Sequence, residues 1–139
     1  MKFEMIDYSE VYYLTICKEE IPTKRAGKFI QIIDEHTNRE FVVLSPKDLS
    51  LYHANIVERF CMQNGPIEGE YNVKKDFFKI TDPTWVVVGG GIWTIDSLNK
   101  VLNLSGASQG YGKFDPQGLK QKILFLEKMA GYTVRIDGI

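Results

Sequence analysis

The chain predicts an α+β fold: a single domain built on one mixed, mostly antiparallel β-sheet of about six strands, with two α-helices packed on it. Three observations lead there. Apolar, β-branched and aromatic runs of strand length recur along the 139 residues, among them KFIQII, EFVVL, WVVV and YTVRI. Two other stretches place apolar residues at helical spacing between recognisable start and stop residues. The connections are short, with no internal repeat, linker or low-complexity segment, and the length suits one core, so residues 1–139 are read as one domain.

Residues 11–16 read as a strand rich in tyrosine and β-branched side chains, broken by Lys18, Glu19, Glu20 and then Pro22. Residues 28–33 and 40–44 form a hairpin across Glu35, His36, Thr37 and Asn38, which leaves His36 as a loop residue. Ser45 then has the character of an N-cap, with Pro46 at the first helical position and Asp48 able to reach back to free amides. That helix is expected to run to about Gln63 and to stop at Asn64, Gly65 and Pro66. Residues 71–80 give a weaker strand signal, and Asp82 and Pro83 turn the chain into the apolar strand 85–88.

Gly89, Gly90 and Gly91 are expected to interrupt that strand, marking a bulge or a close approach by another backbone or a ligand. A second hairpin follows, residues 92–95 against 101–104, turning at 97–99. The loop SGASQGYG, 105–112, leads into a second helix capped by Asp115, with Pro116 in its first turn, Ile123, Leu124, Leu126 and Met129 as apolar positions and Gly131 as its stop. Residues 132–136 close the chain as a strand.

Composition excludes several function classes. Lysine and arginine total 17 against 18 acids, a net charge of −1, and no basic stripe is present, so no nucleic-acid partner is expected. Cys17 and Cys61 are far apart and lack metal-ligand spacing, which predicts reduced thiols and no bound metal. The start MKFEMIDYSE is too acidic for a signal peptide and no run reaches membrane-spanning length, so a cytoplasmic protein with no membrane partner is expected. No oligomeric signal is evident, and monomer is the default expectation.

His53 stands out chemically. It lies in LYHANI, on a stripe whose other positions are Leu49, Tyr52, Ile56, Val57 and Phe60. The plain reading is a hydrogen-bonded core histidine; the sharper one is an acid–base group at the rim of a pocket. The loop 105–112 offers a second feature. Its small residues leave room for a phosphate-sized group, and successive amides at Ser108, Gln109 and Gly110 can form a concave anion nest, although a tight turn with no ligand uses the same residues. No P-loop ending, dinucleotide spacing, nucleophile elbow or metal cluster accompanies them.

Taken together, Tyr52-His53-Ala54, the Gly89-Gly90-Gly91 triplet, and Ser108-Gln109-Gly110-Tyr111-Gly112 after a hairpin resemble the protein phosphohistidine phosphatase family, also called the Janus or Ocnus family. The motifs keep their order and spacing, and a helix and a terminal strand follow in both; the similarity spans about residues 28–138. The resemblance implies a metal-independent, cofactor-free phosphatase acting on phosphohistidine or a related phosphoramidate in a protein. It assigns His53 as general base or as nucleophile, Lys28 as the phosphate-contacting lysine, and Ser108, Gln109 and Gly110 as the loop that holds the phosphate. Such a reaction needs an aligned water or nucleophile plus donors on the phosphoryl oxygens, because the P–N bond is labile once its nitrogen is protonated.

Two family arginines are replaced, one falling at Ser45 and the other at Ile92. Arginine grips phosphate with paired hydrogen bonds, so these departures also admit a second expectation: a non-catalytic module of the same fold that binds a phosphorylated or acidic partner. Catalysis requires His53, Lys28 and the loop amides to converge on one anion.

Overall fold

Strands β2 (Lys24–Asp34) and β3 (Arg39–Pro46) form an antiparallel hairpin and are largely buried on both faces of the sheet. Around them the computed structural model, which describes residues 2–137, adds β1 (Lys2–Asp7), β6 (Trp85–Asp96), β7 (Val101–Ser105) and β8 (Thr133–Ile136) in the order β1-β3-β2-β6-β7-β8. The outermost pairs are parallel and the inner three antiparallel. This is the mixed six-stranded sheet of the α+β expectation. Between β3 and β6, a small hairpin of β4 (Gly69–Tyr71) and β5 (Phe78–Ile80) forms a sheet of its own.

Period-two alternation divides the core. On one face Ile30, Ile32, Phe41 and Val43 meet Ala54, Ile56, Val57, Phe60 and Cys61 of helix α1 (His53–Gln63). On the other, Phe29, Val42, Leu44, Trp93, Leu102 and Leu104 meet Leu119 and Ile123 of helix α2 (Leu119–Phe125). Two buried polar side chains of the sheet pair with each other and with the α2 side: Glu40 accepts from Gln31 Nε2 at 2.7 Å and from Lys122 Nζ at 2.6 Å, and Gln31 Oε1 accepts from the Asp115 amide at 2.7 Å. This network ties the α2 side of the molecule to β2 and β3.

Several boundaries differ from expectation. Residues 11–16 are not a strand but part of a π-helical segment, Glu10–Ile16. Asp7 Oδ1 accepts from the Ser9 amide at 2.8 Å, and this local turn, with Tyr8 buried beneath it, bends the chain out of the sheet. Ser45 and Pro46 do not start a helix, because they remain in β3 opposite Lys28 and Gly27. A turn intervenes, with the Leu49 amide donating to the Pro46 carbonyl at 3.0 Å, and α1 begins only at His53, where Asn55 Oδ1 takes the Tyr52 amide at 3.0 Å.

The stretch 71–80 is two short strands, since Asn72 Oδ1 accepts from the Asp76 and Phe77 amides and folds residues 72–77 into a turn. The glycine triplet does not interrupt β6; pairing continues through it, with an irregularity opposite Gln31 and Ile32 that skips Val88. Asp115 caps a turn, accepting from the Gln117 amide at 3.0 Å, and α2 starts later, after Gly118 at φ 72°. It ends at Phe125, and a 3₁₀ turn, Glu127–Met129, covers the remainder. Gly138, at the end of the stretch that carries the resemblance, lies outside the described residues.

Candidate functional site

One cavity of about 440 Å³ brings the predicted residues together. His53 contributes from the first turn of α1, Lys28 from β2, and Ser108, Gln109 and Gly110 from the loop after β7. Alternation explains Lys28: it shares a strand face with Ile30 and Ile32, which are buried against α1, so its side chain leaves the sheet on the same side as His53. The late start of α1 explains His53. Because the chain makes a turn at 47–52 before it becomes helical, the histidine sits at the open end of the helix instead of mid-face, and it is half-buried where Ala54, Ile56 and Val57 are fully buried. Leu49 and Tyr52 therefore do not continue its helical stripe, and Tyr52 is exposed.

The ring is held from below. His53 Nε2 lies 2.9 Å from the Gly91 carbonyl oxygen. A carbonyl only accepts, so Nε2 carries the proton and Nδ1 keeps its lone pair in the neutral ring. The glycines make this seat: a Cβ on Gly90 would stand 2.6 Å from the Phe29 oxygen and 2.9 Å from His53 Cδ2, and one on Gly91 would stand 2.3 Å from the Ser105 oxygen. Burial pushes the His53 pKa below the ordinary histidine value and the Lys28 charge pushes the same way, while the Gly91 carbonyl opposes both. The net shift favours the neutral ring, whose free lone pair is on Nδ1.

The loop is pinned at its ends. The Ser108 amide donates to the Gly112 carbonyl at 3.0 Å and the Gly112 amide returns a bond to Ser108 at 2.8 Å, while Ser108 Oγ accepts from the Tyr111 amide at 3.2 Å. Ser108 is buried, and its backbone amide is committed to closing the loop. Among the described residues the amides of Gln109 and Gly110 make no such bond, so the donors free for an anion are these two and the Ser108 hydroxyl, not three successive amides.

Sequence reasoning missed three contributors. Tyr111 lines the cavity, and its hydroxyl both accepts from the Phe78 amide at 3.1 Å and donates to the Phe78 carbonyl, joining the loop to the β4–β5 hairpin. Asp76 and Phe77, at the turn of that hairpin, form another wall, with the Phe77 ring 4.6 Å from that of Tyr111. The only advance signal was tyrosine inside a glycine loop, and no local pattern places a hairpin turn across from it.

Ser45 and Ile92, the positions at which the resemblance would expect arginine, have different surroundings. Ser45 is fully buried, with its hydroxyl 2.7 Å from that of Ser50, and its carbonyl accepts from Trp93 Nε1 at 3.1 Å. Ile92 is opposite Lys28 in the β2–β6 register, lines the cavity and is 50% exposed. Among the described residues no group of three or more His, Cys, Asp or Glu side chains is placed to hold a metal ion, and no helix is long and apolar enough to cross a membrane. No family model matches the chain, and comparison with curated proteins finds no match.

Proposed function

We propose that this chain is a cytoplasmic, metal-independent phosphatase that hydrolyses phosphohistidine or a related phosphoramidate in proteins, acting as a monomer. One observation carries the reading: His53, Lys28 and the Ser108–Gln109–Gly110 turn, drawn from three distant parts of the sequence, line a single cavity. In the proposed reaction Lys28 and the free loop donors take the phosphoryl oxygens, as charge builds there in the transition state. The leaving nitrogen first takes a proton from solvent, which makes the P–N bond labile; His53 Nδ1 then removes a proton from the attacking water, and the P–O bond forms as the P–N bond breaks. If His53 instead attacks phosphorus itself, the same lone pair is used and water releases the phosphate in a second step.

Among the described residues Lys28 is the single cationic side chain lining the cavity, with isoleucine at 92, and this favours a second reading: a module that holds a phosphorylated partner without turning it over. Hydrolysis of a phosphohistidine-containing peptide by wild type and by folded His53→Ala separates the two. Turnover in wild type reduced by about 100-fold or more in the variant is the expected result for loss of a general base. Binding of the peptide by both proteins with turnover by neither would replace the enzyme reading with the module.

A further inference from the structure

The cavity is chemically mixed. Lys28 and the loop donors suit an anion, and the apolar and aromatic side chains of Ile92, Tyr52 and Phe77 line the same space, with Ile92 opposite Lys28 in the strand register. Ile92 and Tyr52 are 50% and 54% exposed, so both present apolar surface to a bound segment. The Ile92 side chain is not loose. It passes over Gly106, where an added Cβ would stand 3.5 Å from Ile92 Cγ1, and β6 fixes its backbone between β2 and β7. Asp76 stands on the hairpin turn at the cavity, its carboxylate accepting from Asn72 Nδ2 at 2.6 Å, and its charge disfavours a second anion.

Resting on the phosphoramidate reading above, we infer that Ile92 is a specificity-determining residue: with Tyr52 and Phe77 it receives an apolar or aromatic side chain next to the phosphorylated residue of a protein substrate. A segment with acidic neighbours is rejected. The anion end supplies the attraction common to any phosphoryl group, and the wall supplies the discrimination, because burying an apolar side chain there is favourable whereas an acidic one would lose water and face Asp76.

The test uses the full chain and a pair of phosphohistidine peptides, one with leucine or phenylalanine beside the phosphorylated residue and one with aspartate there. Their hydrolysis is compared, and so is their affinity when a non-hydrolysable phosphohistidine analogue is used. The expected result is a preference of about tenfold in kcat/KM, and in Kd for the analogue, for the apolar-flanked peptide. Ile92→Ser should raise KM for that peptide with kcat retained, and Ile92→Leu should restore it; because residue 92 is half-exposed, both variants are expected to fold. Equal use of the two peptides, alongside turnover that requires His53, overturns the specificity assignment and leaves the phosphatase reading standing. If neither peptide is bound or hydrolysed, both fall together.

Discussion

His53 is fixed at one nitrogen and free at the other, and the pH dependence of the proposed reaction follows from that. The Gly91 carbonyl holds Nε2–H, so the working lone pair is on Nδ1 and exists only in the neutral ring. Burial first, and the Lys28 charge second, lower the folded pKa. Neutral imidazole is therefore present at and above the ordinary histidine value of about 6.5 and is lost only as pH falls through the lowered value. The kcat/KM profile, corrected for acid hydrolysis of the substrate, should rise with pH with its midpoint below about pH 6.5. Lys28→Met should move the midpoint upward, with burial still holding it down, and should weaken substrate binding by about tenfold through loss of a charge-assisted bond. A wild-type midpoint above the ordinary value, or one that moves down in the variant, would contradict the assignment of His53 as the base.

At the scale of elements, the site is a junction between a hairpin and a loop, and Tyr111 makes the junction. Its hydroxyl bridges both backbone groups of Phe78, while Tyr71 of the same hairpin donates to Glu58 of α1 at 2.8 Å, so β4 and β5 are held from both sides. Burial drives the Tyr111 pKa up to about 12, which keeps the hydroxyl protonated and able to donate at physiological pH. Tyr111→Phe leaves the Phe78 amide and carbonyl without that partner. It should cost about 1–3 kcal/mol in urea unfolding, and should raise KM more than it lowers kcat, because it loosens a cavity wall and leaves His53 untouched. A variant with unchanged stability and unchanged KM would show that the bridge holds nothing.

This junction also shows what the sequence carried and what it did not. The β2–β3 hairpin was legible because KFIQII and EFVVL are strongly apolar runs with six polar residues, Asp34 to Arg39, between them, and the end of α1 was legible in Asn64, Gly65 and Pro66. The start of α1 was not: Ser45 and Pro46 carry a true local preference for a cap, but pairing with Lys28 and Gly27 is a long-range interaction that outweighed it. Likewise the β-rich run after Tyr8 becomes π-helical because Asp7 turns the chain first. His53, Lys28 and the loop with its Tyr111 were found as residue types in order, whereas Asp76, Phe77 and the Tyr111–Phe78 bridge matter through tertiary placement that no spacing records.

Across the whole molecule, two cores share one sheet, and the sharing governs how the protein unfolds. Phe29 belongs to the α2 side while its neighbours Ile30 and Ile32 belong to the α1 side, and β3 alternates in the same way with Val42 and Leu44 against Phe41 and Val43. Neither face can lose its strands without exposing the other, so a single cooperative transition is expected despite the segregated cores. The two tryptophans report the faces separately. Trp93 is 1% exposed in the α2-side core, and Trp85 packs against Phe41 and Phe60 with ring centroids 5.9 and 5.5 Å away on the α1 side. In Trp85→Phe the fluorescence reads the α2 side, and in Trp93→Phe it reads the α1 side. The second variant should be the less stable, by about 1–3 kcal/mol, because Trp93 Nε1 donates to the carbonyls of both Lys28 and Ser45. Within each variant, the urea midpoint by fluorescence should coincide with that by far-ultraviolet circular dichroism. If the Trp85 signal melts before the secondary structure, the α1 face opens as a unit of its own, and the cavity, whose His53 belongs to that helix, would be lost before the sheet is.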